Sequence, residues 1–174
     1  MKAVLTLILV MLLAPLLYSF SLEAARYIFV YTSLATIGWF VSGCVVYFVL
    51  YVVFLRDAVR FLEHFEHELG HAIVATFFGR QVNEIVVNPK SGSKVATARG
   101  VNIIIYLAPY YLPVFTLPLL LVKPLIIPAW YPAFDFLVGV ALAFHYARLS
   151  GEFSPRQSDI QKSGLLASIL IVTA

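Results

Sequence analysis

The 174-residue chain is 61% hydrophobic and only 12% charged, with a mean hydropathy of +0.92, whereas a typical soluble domain carries about twice that share of charge. A water-soluble core of this size would leave much apolar surface exposed, so lipid is the expected solvent. The formal charge of +3, from 12 basic and 9 acidic residues, is too small and too scattered for a nucleic-acid-binding face.

Lys2 precedes an apolar run over residues 3–18, the charged start and greasy middle of a signal peptide. Ser21, Glu23 and Ala25 make a poor cleavage pattern, so an uncleaved first helix over 3–20, kinked at Pro15, is expected. Residues 27–55 hold no charge and exceed the roughly 20 residues needed to cross the hydrocarbon layer. The single cysteine, Cys44, sits there among Val41, Val45 and Val46. It excludes an intrachain disulfide and reads as a small packed residue.

A third helix is expected over 57–78, because Phe61, Leu62, Phe65, Leu69, Ala72, Ile73 and Phe77 recur at helical spacing. Gly79 and Arg80 suit its C-terminal end. Residues 81–101 form the main polar excursion. Val82, Ile85, Val86 and Val87 favour a short strand, a turn follows at Asn88-Pro89-Lys90-Ser91-Gly92, and Val95 and Thr97 favour a second strand. Such a hairpin either accepts an extended substrate along its edge or is a plain interfacial loop.

Residues 102–122 are apolar but interrupted by Pro109 and Pro113, residues 123–128 connect, and 129–147 form a further span containing Asp135 and His145. Residues 148–163 are polar, and the run 165–174 is too short to cross a bilayer unless its helix starts near Asp159. The expected fold is therefore an all-α polytopic bundle of five or six membrane helices with a short β-hairpin, all in one membrane-embedded domain over 1–174.

The chemistry concentrates in His67-Glu68-Leu69-Gly70-His71. Residues four apart share a helix face, so His67 and His71 can direct two imidazoles at one zinc ion. Glu68, one position along, can take the proton of a water activated by the metal and pass it to the leaving amine. Gly70 removes a side chain where another helix or the substrate must approach. His64 shares the face but lies seven residues, about 10 Å of rise, from His71. It suits either a supporting or substrate-side role, with Glu63 or Glu66 holding a ring proton, or a plain interfacial one. A competing reading makes these groups a polar face that binds helices together or relays protons or cations.

Two histidines leave one protein ligand to find if water is to reach the metal. Asp135, His145 and Asp159 are the candidates. Asp135 and His145 are ten residues apart on one helix and cannot both serve. Asp159 follows Ser158 at a helix start and could equally be a first-turn acid. Residue chemistry leaves the three level.

The run Phe65-Glu66-His67-Glu68-Leu69-Gly70-His71-Ala72, with Phe78-Gly79-Arg80 and Val82, resembles the site-2 protease family of intramembrane zinc metalloproteases, in particular its compact bacterial branch. Looser likeness extends through Asn102, Leu107-Ala108-Pro109-Tyr110 and Gln157-Ser158-Asp159-Ile160. The resemblance implies zinc as cofactor, His67 and His71 as ligands and Glu68 as catalytic base. It also implies cleavage of membrane-embedded segments of other proteins, and residence in the bacterial cytoplasmic membrane. Many members take their third ligand from a Leu-Asp-Gly motif, which this chain lacks; compact relatives carry an aspartate after the last long span, which favours Asp159. Asn102 and Tyr110 are candidate substrate or oxyanion contacts. The alternatives are a non-catalytic metal-binding membrane protein and a proton- or cation-translocating component.

Overall fold

The computed structural model of the chain describes residues 34–88, 92–97 and 100–173. The expected first helix, 3–20, lies outside them. Helix α1 (Leu34–Leu50) runs on through a π-helical turn, Tyr51–Leu55. Helix α2 (Arg60–Phe77) follows. It ends where expected: Gly79 adopts φ +65°, and Arg80 N–H reaches back to the Ala75 carbonyl at 2.9 Å. A left-handed residue there is nearly free of cost only for glycine.

Strands β1 (Val82–Val86) and β2 (Lys94–Thr97) form the antiparallel hairpin. Ile85 pairs with Val95 and Val86 with Lys94, and the register slips between Val82 and Glu84. Helix α3 (Ile103–Tyr111) is capped by Asn102, whose side chain accepts from Ile105 N–H. The chain breaks at Leu112 and Pro113, then resumes as α4 (Thr116–Val122). Pro109 is carried inside α3 and the break falls at Pro113, because a residue preceding proline is driven out of the helical region. Helix α5 (Tyr131–Glu152) outruns the expected span by more than a turn. Two short helices close the chain, α6 (Ser158–Ser163) and α7 (Leu165–Val172), separated at Gly164 with φ +85°.

The protein is a mostly α-helical integral membrane protein. Among the described residues two helical stretches are long and apolar enough to span, Leu34–Leu55 and Pro128–Glu152. Ile103–Tyr111 with Thr116–Leu125 makes a third only as a span bent by 71°. The expected all-α membrane fold with a short hairpin is thus borne out, with two or three of its expected membrane segments long and apolar enough to span among the described residues. Helix α2 carries too many charged groups, and the eight residues of α7 rise only about 12 Å.

Helix α1 packs along α5 through two glycines. A Cβ built on Gly43 would stand 2.1 Å from the Phe136 carbonyl oxygen, and one on Gly139 equally close to that of Phe40. The Cys44 thiol donates to the Gly139 carbonyl at 3.3 Å, as a small contact residue should. Tyr47, Ala143, Phe144 and Ala147 fill the rest of that seam. Val74 and Ala75 of α2 pack on Ile105 and Ala108 of α3. Leu107 and Tyr110 then pack on Ile160, which ties α6 against α3. These last two contacts fix where the functional side chains meet.

Candidate metal centre

Helix α2 places His67 and His71 one turn apart with both Nε2 atoms inward, 3.2 Å from each other. The first turn of α6 brings Asp159 to the same point. Its Oδ2 lies 3.3 Å from His67 Nε2 and 3.3 Å from His71 Nε2. The three atoms form a nearly equilateral triangle that can hold a metal ion. For metal–ligand bonds of about 2.0–2.1 Å, a tetrahedron has edges of about 3.3–3.4 Å. The observed edges fit that figure without moving a side chain.

The outer face of each ring fixes its tautomer. His71 Nδ1 donates to the Ile105 carbonyl at 2.8 Å, and a carbonyl can only accept. His67 Nδ1 donates to Glu152 Oε2 at 2.9 Å. In the neutral rings these outward protons leave the Nε2 lone pairs facing the triangle, as metal ligation requires. Without a metal, a second proton on Nε2 makes a ring cationic and lets it donate to Asp159. Burial disfavours the charged form of Asp159, but the bonds and charge of His67 and His71 outweigh it. They hold this carboxyl below the usual carboxylate range. The centre of the triangle therefore selects positive charge, which ring protons or a bound cation can supply in competition.

Beyond the first ring of contacts lies a buried polar cluster. Arg148, 2% exposed, donates from Nη1 to Glu152 Oε2 at 2.6 Å and from Nε to Glu66 Oε2 at 3.1 Å. Its Nη2 donates to the Pro109 carbonyl. Glu66 also contacts His145 Nδ1 at 3.3 Å. Glu66 is fully buried, and these partners explain how the helix tolerates its charge.

The three candidates for the third ligand take different positions. Asp135 pairs with Lys123. It sits 17 residues before Glu152 on α5, about 26 Å of helix rise from the level of the histidines. His145 turns to Glu66. Only Asp159 joins His67 and His71. His64 does not bond Glu63 or Glu66 as expected; its Nδ1 meets the Arg60 carbonyl at 2.8 Å. Asn102 spends its side-chain oxygen on the α3 cap. Tyr110 is 1% exposed, its ring edge-on to His67 and Phe153; neither Asn102 nor Tyr110 lines the cleft beside the histidines. Gly70 makes room for α3: a Cβ there would stand 3.2 Å from Pro109 Cα.

Sequence reasoning missed Arg148 and Glu152, which it left in a polar tail. The available signal was His145, Arg148 and Glu152 at spacings of three and four, one face of a continuing helix.

A cleft of about 430 Å³ opens onto the triangle. Glu68 lines it beside His67 and His71 and interacts electrostatically with both histidines and with Asp159. Lys94, Val95 and Thr97 of β2 line it too, as do Tyr106 and Lys162, whose ammonium sits over the Tyr106 ring. Comparison with family models matches residues 40–147 to a family described as Peptidase M50B-like. Comparisons with curated proteins and with solved structures gave no match.

Proposed function

The chain belongs to the Peptidase M50B-like family, and on that premise we propose that it is a zinc-dependent endopeptidase acting on membrane proteins, in the bacterial cytoplasmic membrane. The observation that carries the reading is the triangle of two imidazole nitrogens and one carboxylate oxygen, with the free carboxyl of Glu68 beside it in an open cleft. His67, His71 and Asp159 would hold the ion. When bound, zinc supplies a Lewis acid that polarises the peptide carbonyl and makes water a stronger acid.

The protein's own groups carry the remaining steps. Glu68 accepts the proton of the attacking water and delivers it to the departing nitrogen, so no covalent acyl-enzyme forms. Glu152 and the Ile105 carbonyl keep the two rings turned inward throughout. The cleft lets water reach Glu68. The β2 wall offers an extended substrate backbone a strand to pair with, which keeps the scissile carbonyl accessible instead of bound in a helix. A proton or cation relay would call for ionisable groups strung across the membrane; convergence of a third donor on one point favours the peptidase.

Glu68→Gln tests the assignment. The variant should bind one zinc as the unaltered protein does yet lose about 10²–10⁴-fold in kcat on a cleavable membrane substrate. Loss of zinc together with activity would make Glu68 a ligand and remove it as the base.

A further inference from the structure

The outer contacts of both histidines trace back to two prolines spaced four apart, Pro109 inside α3 and Pro113 just past its end. In a regular helix the Ile105 carbonyl receives the amide hydrogen of residue 109. Residue 109 is proline and has none, so that carbonyl is left to accept from His71 Nδ1 at 2.8 Å. The same step recurs one turn on. The Pro109 carbonyl would look to residue 113, which is again proline, and Pro113 has driven Leu112 out of helical conformation. That carbonyl accepts instead from Arg148 Nη2. Arg148 Nη1 holds Glu152, and Glu152 holds His67 Nδ1. A buried carbonyl without a partner is costly, so both positions demand a donor from outside the helix.

We propose that Pro109 and Pro113 are positioning residues of the metal centre: each frees one α3 carbonyl, and the two carbonyls fix the rings of His71 directly and of His67 through Arg148 and Glu152. The inference rests on the metal-site reading above. It makes the bend of α3 into α4 a requirement of the site as well as of the backbone. Gly70 completes the device. Without a Cβ it lets α2 approach Pro109 closely enough for His71 to reach the carbonyl one turn earlier.

Pro109→Ala restores an amide that competes with His71 for the Ile105 carbonyl, and it also mends a helix. The two effects have opposite sign, which separates positioning from plain structure. In the full chain, purified in detergent, zinc affinity measured by chelator competition should fall about 10–100-fold, the range for losing an outer-shell partner of a ligand. The metal-free protein should melt no lower than the parent, and the visible d–d bands of the cobalt-loaded form should shift. Pro118→Ala, in α4 away from the centre, should change neither affinity nor spectrum. Unaltered affinity and cobalt spectrum in Pro109→Ala would overturn the proposal, as would a loss matched by a lower melting point of the metal-free form. Should that variant fail to fold, Pro113→Ala carries the same test through the Arg148 arm. A parent chain that binds no zinc would defeat the metal reading itself; a parent that binds while the proline variants bind equally well defeats this inference alone.

Discussion

Asp159→Ala, set beside Asp135→Ala and His145→Ala, tests the donor set. The substitution removes one corner of a triangle whose edges are 3.2–3.3 Å, leaving two imidazoles and no anionic donor. Loss of an outer-shell partner alone costs 10–100-fold in metal affinity, about 1.4–2.8 kcal/mol. Removing a ligand that also carries the charge should exceed the upper figure, so affinity should drop by more than about 100-fold. Asp135→Ala acts about 26 Å of helix rise away and breaks only the pair with Lys123, so zinc affinity should stay within about twofold. His145→Ala removes a contact to Glu66 that Arg148 also makes, and its effect on zinc should not exceed the outer-shell range. Zinc per chain by plasma emission and competition against a chromogenic chelator would rank the three. An Asp159→Ala protein that keeps its zinc, while either of the others loses it, would refute the reasoning.

Arg148→Met should destabilise the protein by about 3–5 kcal/mol, since Glu66 is left buried without its cation. Combining it with Glu66→Leu should recover most of that loss, and denaturant titration in micelles would show both. Gly139→Val drives methyl groups into the Phe40 carbonyl and should cost more than the about 1–3 kcal/mol of ordinary overpacking; a melting point unchanged from the parent would contradict the close α1–α5 contact.

Much of this arrangement could be read from residue spacing. Apolar runs and the period of Phe61, Phe65, Leu69 and Phe77 marked the helices, and the hairpin followed from two β-favouring runs around Asn88 and Gly92. His67, Glu68 and His71 stood out because four-residue spacing on a helix leaves little freedom in where side chains point. The third donor was different. Asp135, His145 and Asp159 are each plausible alone, and choosing among them requires knowing how α6 folds back on α3 through Ile160 and Leu107. Arg148 and Glu152 were missed because α5 continues past the apolar run, sustained by buried charge pairing that hydropathy does not register. Glu66 was visible but misassigned to His64, since its true partners lie about 80 residues later.

His67 and Asp159 are 92 residues apart, and the helix that carries the first is made long before the turn that carries the second. The stretch between them, α5 included, must therefore be made and placed before the two side chains can meet. Until then the nascent protein holds two imidazoles and no grip. Under the proposed function, that order would keep the protein from cutting neighbouring polypeptides before its own fold is complete.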